Sequence, residues 1–294
     1  MPHTKNIITQ LHVSALLLGG TALFSKLIPY SAIDIISYRT LICGVIVLGI
    51  ALALKHKILI ENKFHLFLLV ICSLLFTVHW TTYFHSMQVS SVAIGIVSMF
   101  TFPVITVFLE PLIKKTRLHL VDILMAVIVL FGVSLIVPEF SLDNNITAGV
   151  AFGILSGFAV ALRNVIVSKW LNQYSAFTIM SFHSLISAMV LLPFATVSIN
   201  SISSYEWFLL VLLGSVFTAI PHTQKTYALL HKSAKTVSMI ISLQVVYASI
   251  FAYLLLEEHV DLHTLIGGSL ILFAAVFESI QSKKTKANDP EVIS

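Results

Sequence analysis

The sequence predicts an all-α polytopic membrane protein whose ten transmembrane helices form two inverted five-helix repeats. Three observations predict this class: a composition too apolar for a water-covered surface, a one-sided distribution of basic residues, and a sequence that repeats itself at a fixed offset. Of 294 residues, 57% are AVILMFWYC and only 10% are charged, and mean hydropathy is +0.98. A soluble globular chain carries about 25% charged residues, so too few polar side chains remain here to cover a surface of this size. The formal net charge of +4 is then the positive-inside bias of a membrane chain and not a nucleic-acid footprint. Cys43 and Cys72 lie in apolar stretches and offer neither a disulfide framework nor a metal spacing.

A helix rises about 1.5 Å per residue, so about 20 residues cross the hydrocarbon core. The first span, 10–28, follows Lys5 and lacks a clear small-residue cleavage site, so it reads as a span and not a signal peptide. The second, 32–54, stops at Lys55-His56-Lys57, and the third, 65–85, begins after Lys63. The fourth, 89–113, stops at Lys114-Lys115-Thr116-Arg117, and the fifth, 118–138, runs out to Glu139 and Asp143. The sixth, 147–170, carries Lys169 at its end, and the seventh, 175–198, leads to a polar loop. The eighth, 207–230, lies between Glu206 and Lys232; the ninth, 234–256, ends at Glu257-Glu258; the tenth, 262–281, runs from Asp261 to the basic tail at Lys283, Lys284 and Lys286. With the N-terminus inside, these basic residues share one face and the opposite loops hold acids but no Lys or Arg. Adding or removing one span would scramble that separation. The expected setting is the cell's inner or plasma membrane, with both termini cytoplasmic.

Tyr30–Leu48 (YSAIDIISYRTLICGVIVL) returns without a gap as Tyr174–Leu192 (YSAFTIMSFHSLISAMVLL), an offset of 144 residues. The same offset takes Thr82-Tyr83 to Thr226-Tyr227, Ser98 to Ser242, and Leu118-His119 to Leu262-His263. A constant offset across four helices, with Ser25-Lys26 of the first returning one residue out of step as Ser168-Lys169, marks a duplication. Five is odd, so the second copy enters the membrane from the other side. That is the inverted-repeat plan of secondary transporters, with a site near the midplane between repeats. The expected units are 1–141, 146–281 and a cytoplasmic basic tail, 282–294, with the boundary in the loop Glu139–Ile146.

Particular segments carry a family likeness. Leu16–Pro29 followed by Ser37–Leu48 pairs a Gly-rich first helix bearing Lys26 with Arg39 in the second. Thr82–Ile105 joins a Tyr-containing helix end, a short turn and a Pro-bearing fourth helix. Ser242–Gly268 supplies the ninth helix, its terminal Glu and the Gly opening the tenth. Together these resemble the drug/metabolite transporter superfamily, in particular the EamA-type permeases, over essentially the whole chain. The sequence departs from the family where a Glu-Pro pair early in helix nine reads Gln244-Val245, and where Glu110 precedes Pro111. The resemblance implies a carrier of amino acids, nucleobases, sugars or related metabolites and leaves the substrate open; efflux of amino acids or related amphipathic compounds is the expectation it carries.

Polar residues inside spans are costly and face a cavity or a partner helix. Helix three carries His79, Thr82, Tyr83 and Ser86 on one face, and helix eight carries Thr218, His222, Lys225 and Thr226 at similar spacing. The candidate substrate residues are Arg39, His79, Trp80, Tyr83, Ser98, Phe102, His183, His222, Ser242, Gln244 and Tyr247. Pro103, Arg163, Pro221 and Lys225 are candidates for coupling or gating. Competing readings stand beside these. Ser and Thr bond the turn behind them or glue helices together; Arg39, Arg163, Lys225 and Lys26 lie close enough to a membrane face to snorkel; and buried histidines can be purely structural. His183 holds the repeat position of Arg39, which suggests related roles at opposite gates. Gly149–Gly157 is a GxxxGxxxG stripe that lets a neighbouring helix approach closely. Pro103, Pro193 and Pro221 free the carbonyls of Met99, Met189 and Phe217 to find other partners or line a wet cavity.

No zinc-protease HExxH, P-loop or GxGxxG occurs, so no metal, nucleotide or other cofactor is expected. The expected partners are a small-molecule substrate, the lipid bilayer and protons taken up by histidine, with a monomer or homodimer as the unit and no nucleic acid. Facilitated diffusion rivals proton coupling, since no carboxylate is securely buried. An intramembrane enzyme acting on a lipid-linked substrate, or a structural membrane protein, remains the alternative from a different class.

Overall fold

The structure is a computed structural model that describes residues 2–115, 120–136, 145–231, 237, 240–257 and 259–287, with side chains described except for 2–6, 114, 122, 275 and 278–287. The loop Glu139–Asn144, Ser238, Lys232, Lys235, Glu258 and the tail beyond Ala287 lie outside the described residues, as do the side chains of Lys5, Lys114, Asp122, Glu278, Lys283, Lys284 and Lys286.

Seven helices are long and apolar enough to cross a membrane: α1 (Ile7–Leu27), α2 (Ala32–Ala53), α3 (Lys63–Val89), α4 (Val92–Ile113), α6 (Asn145–Trp170), α7 (Ala176–Phe194) and α8 (Ser204–His231). The remaining three, α5 (Leu120–Ile136), α9 (Leu243–Leu256) and α10 (Leu262–Ala287), hold shorter apolar stretches and complete the ten. Among the described residues there is no strand, as hydrocarbon requires of any chain that does not close a barrel.

The packing repeats itself under exchange of the halves. Helix α1 packs on α9 as α6 packs on α4, α1 on α8 as α6 on α3, and α2 on α8 as α7 on α3, while α2–α7 and α5–α10 each pair with their own repeat mate. A bundle whose contacts map onto themselves in this way has the inverted five-plus-five architecture. Local signals are duplicated too: Ser31 caps α2 by accepting from Asp34 N, and Ser175 caps α7 by accepting from Thr178 N. The α5–α10 pair presents Leu124, Leu130, Phe131, Leu265 and Phe273 outward, an apolar face suited to lipid.

The prolines do different things in each place. Pro103 is the second residue of a new segment, Phe102–Lys114, after α4 breaks behind Met99, so it opens a helix and does not bend one. Pro193 sits in a tight turn, Leu192–Phe194, that ends α7. Pro221 follows a wide turn at Ser215–Ala219 inside α8. The carbonyl it frees, Phe217 O, accepts from Thr21 Oγ1 of α1 at 2.8 Å.

The glycine stripe on α6 is a packing device. A Cβ at Gly149 would meet Ser90 Oγ at 2.3 Å, one at Gly153 would meet Ser98 Cβ at 2.5 Å, and one at Gly157 would meet Met99 O at 2.7 Å. Backbone carbonyls and short side chains of α3 and α4 fill the space that side chains would need. Overpacking costs about 1–3 kcal/mol. Gly153→Val is therefore expected to lower the thermal midpoint of the detergent-purified protein by several degrees. Gly49→Ala, where a Cβ meets nothing within 4 Å, should hold it or raise it.

Candidate functional site

At the centre of the bundle, α1, α2, α3, α4, α6, α8 and α9 surround a small polar cavity with a free volume of about 20 Å³, room for about one water molecule. Its walls include Thr21, Arg39, His79, Trp80, Tyr83, Phe100, Phe102, His222, Lys225 and Gln244. Among the described residues no Asp or Glu lines it. Eight of the sequence candidates thus meet in one place, drawn from α2, α3, α4, α8 and α9.

Arg39 is the best buried of the charged groups here, at 1% exposure. Its Nε donates to Thr218 Oγ1 at 2.7 Å, and Nη2 lies 3.4 Å from His222 Nε2. The guanidinium lies over the rings of Trp80 and Phe84, at 5.2 and 5.1 Å, which adds cation–π attraction. Trp80 Nε1 also donates to His222 Nε2, at 3.4 Å. Indole and guanidinium can only donate, so His222 Nε2 accepts and its proton sits on Nδ1. Among the described residues neither Arg39 Nη1 nor His222 Nδ1 has a partner.

The wide turn in α8 is what brings Thr218 to Arg39. Thr218 Oγ1 donates to Leu213 O, five residues back, at 2.6 Å, leaving its lone pair for Arg39 Nε. A regular helix would aim this hydroxyl at the carbonyl three or four residues back. Such wide turns cluster at functional sites.

A second buried cluster stands next to the cavity. Arg163 Nε donates to His183 Nε2 at 3.1 Å, Nη1 to Asn164 Oδ1 at 3.0 Å and Nη2 to Thr226 Oγ1 at 3.3 Å, and the guanidinium lies over Phe76 at 4.7 Å. His183 Nδ1 meets Ser73 Oγ at 3.0 Å, and that hydroxyl donates onward to Leu69 O. His183 is therefore the Nδ1–H tautomer, fully engaged on both nitrogens. The repeat geometry is legible: Arg39 joins α2 to α8, and its repeat mate His183 joins α7 to α3.

The remaining candidates separate into lining and support. His79 Nδ1 donates to Ser156 Oγ at 2.7 Å while Ser156 returns a bond to His79 O, and Ser86 donates to Gly149 O at 2.5 Å. The helix-three stripe thus splits: His79 and Ser86 tie α3 to α6, and Tyr83 turns to the cavity. Ser98 is buried against Gly153, Ser242 is buried at the start of α9, and Tyr247 packs on Gly19 of α1. None of these three lines the cavity, nor do His183, Arg163, Pro103 or Pro221. Arg39, Arg163 and Lys225 are all buried, which replaces the snorkelling reading; Lys26, exposed, donates to Ser90 O at 3.1 Å. Leu18, Met99, Val160 and Ile241 complete the wall, and nothing in an apolar run distinguishes such residues from lipid-facing ones.

Above and below the cavity the chain is latched. On the acidic face Tyr30 donates to Glu206 at 2.6 Å, while Asp34 accepts from Thr196 N, Thr196 Oγ1 and Val197 N at 2.6, 3.0 and 3.0 Å. The hydrogen bond to Glu206, with burial adding, pushes the Tyr30 hydroxyl up to about 12, so the latch keeps its proton. On the basic face the repeat mates do the same work: Tyr174 bonds His65 at 3.0 Å, and Thr178 Oγ1 donates to Lys57 O at 3.1 Å. A cleft of about 600 Å³ opens beside this second latch, lined by His56, Lys57, Glu61, His65 and Tyr174 among others.

The pattern of the EamA-like transporter family matches residues 6–137 and again 147–280. The chain belongs to the EamA-like transporter family. Among similar proteins, an uncharacterized transporter YxxF of Bacillus subtilis is 21% identical over 287 residues, covering 96% of this chain and 91% of that one. An S-adenosylmethionine uptake transporter of Rickettsia prowazekii is 24% identical over 226 residues, 76% of each chain. One solved crystal structure superposes with a TM-score of 0.67 over 95% of this chain and 98% of that chain at 14% identity, a likeness of fold alone. This EamA-like protein is accordingly a multi-pass membrane transporter.

The support cluster yields a stability prediction. Arg163→Gln leaves His183 and Thr226 without their buried donor, and an unsatisfied buried polar group costs about 1–3 kcal/mol. The variant is expected to unfold several degrees below wild type in detergent. Asn164→Ala, which removes a single bond to Arg163, should lower the midpoint by less.

Proposed function

We propose that this EamA-like protein is a secondary transporter that moves small amphipathic metabolites, amino acids or related compounds, across the inner or plasma membrane by alternating access. What supports the reading is a polar cavity at the repeat interface together with repeat-related hydrogen-bonded latches at the two ends of the bundle. A cavity of about 20 Å³ is far below the ~300–1,000 Å³ of small-molecule sites, so a metabolite enters only when one latch releases. Duplicated latches on opposite faces are what a carrier needs to open one side at a time. In this reading the two five-helix halves, 1–141 and 146–281, rock against each other, with the basic face cytoplasmic and export as the direction implied by the family resemblance.

Of the three central histidines, His183 and His222 accept from arginines, a role closed to imidazolium. That favours facilitated exchange over a proton carried on either ring. Among the described residues an enzyme reading finds no compact set of carboxylates or thiols: both cysteines are buried apart from the cavity wall.

The deciding experiment is counterflow in proteoliposomes preloaded with a mixture of amino acids, nucleobases, sugars and S-adenosylmethionine, following each labelled solute with and without a pH gradient. Exchange of one class with little response to the gradient is the expected result. No exchange of any member by monodisperse protein would remove the carrier reading. The latches make a second prediction, read on Ile241→Cys in a Cys43→Ala, Cys72→Ala background. Tyr30→Phe should speed thiol labelling from the acidic face several-fold, and Tyr174→Phe from the basic face. Equal labelling from both sides in both variants would remove the latch assignment.

A further inference from the structure

We infer that the central cavity selects a carboxylate-bearing organic anion that carries no positive charge, its oxygens accepting from Arg39 Nη1 and His222 Nδ1–H. The inference rests on the transporter reading for its site, and among the small amphipathic metabolites of that reading it favours bare acids over zwitterionic amino acids.

Three features of the cavity carry it. Its charged wall residues are Arg39 and Lys225, with no Asp or Glu among the lining, and Asp34, the buried acid among the described residues, is spent on the acidic-face latch. An arginine stays protonated in proteins, so a positive charge persists in a low-dielectric centre, where an opposite charge is the natural complement. Of the cavity-wall atoms without a partner, Arg39 Nη1, His222 Nδ1 and Tyr83 Oη, none is an obligate acceptor. Arg39 Nη1 can only donate, and His222 Nδ1 holds its ring's proton because Trp80 and Arg39 both donate to Nε2. Two buried donors beside the same cavity ask for acceptors, which a carboxylate supplies with one oxygen each.

The arginine is also held ready. Thr218 fixes Nε, the rings of Trp80 and Phe84 lie against the guanidinium, and the wide turn of α8 fixes Thr218. Little ordering then remains when the anion binds. Arg163, by contrast, has each of its nitrogens engaged and carries no free donor group for a ligand. The rest of the wall, Trp80, Phe100, Phe102 and Met99, suits an apolar body. An ammonium or sulfonium would sit beside Arg39 and Lys225 with no carboxylate to receive it, so amines and zwitterions are disfavoured relative to the bare acid.

The test uses two series that hold the apolar body constant and change the head. One is 3-phenylpropanoate, L-phenylalanine, 3-phenylpropan-1-ol and 3-phenylpropylamine; the other is 4-methylpentanoate, L-leucine, 4-methylpentan-1-ol and 4-methylpentylamine. Thermal unfolding of the purified full chain reads binding, and counterflow of the same labelled probes reads transport. The carboxylates should raise the midpoint by at least 2 °C and exchange at least tenfold faster than the matching amines. Arg39→Gln should abolish both responses, and Lys225→Gln should weaken both several-fold. His222→Ala serves as the second donor variant where Arg39→Gln is not monodisperse. Carboxylate stabilisation that depends on Arg39 but comes without exchange would sustain the site and overturn the carrier reading. Exchange of alcohols or amines in preference to acids would overturn the anion assignment and leave the carrier reading intact. No carboxylate response in either measurement, or an equal response in the Arg39 and Lys225 variants, would overturn the assignment.

Discussion

A guanidinium that cannot reach water must be solvated by protein, and much of this structure follows from meeting that need at Arg39. Hydrocarbon supplies no hydrogen bonds, so each buried donor demands a partner or a cavity. Thr218 answers Arg39 Nε only because α8 widens by a turn ahead of Pro221. The carbonyl freed by that proline is answered in turn by Thr21 of α1. A single buried charge thus couples α2, α8 and α1, and the packing of Trp80 and Phe84 around it brings in α3.

The inverted repeat distributes this burden between two unlike centres. Where the first half places Arg39, the second places His183, and Arg163 then supplies the cation from α6. Arg163 is saturated by protein and acts as a fixed strut between α6, α7 and α8. Arg39 is satisfied on one side only, and that incompleteness sits against the cavity. Duplication followed by divergence has left one centre structural and the other chemically available.

The latches show the same inheritance with different chemistry. Tyr30 and Tyr174 occupy equivalent positions, each reaching the first turn of a helix in the other half. One finds a carboxylate and the other an imidazole. A carboxylate makes a strong, charge-assisted hydrogen bond, and Asp34 adds three more bonds from the α7–α8 segment on the acidic face. The basic face has instead a large cleft beside its latch. The two ends of the bundle are built to the same plan and held with unequal strength.

Ten spans, the duplication and the two polar faces were determined by the sequence itself, because hydropathy, charge asymmetry and a constant offset are properties of position along the chain. The repeat relation of Tyr30 to Tyr174 and the close-approach role of Gly149, Gly153 and Gly157 could be read the same way. Tertiary structure alone decided which polar residues share a cavity. Ser98, Ser242 and Tyr247 carry the same residue types as lining groups, yet they face helix contacts. His79 and His183 look alike in sequence, but one touches the cavity and the other is tied to Arg163. Arg39 and Arg163 each sit where a side chain could have snorkelled to a membrane face, and both turn inward. Rotation about a helix axis and the approach of a non-neighbouring helix set these outcomes, and neither is encoded in the spacing of residues within one span.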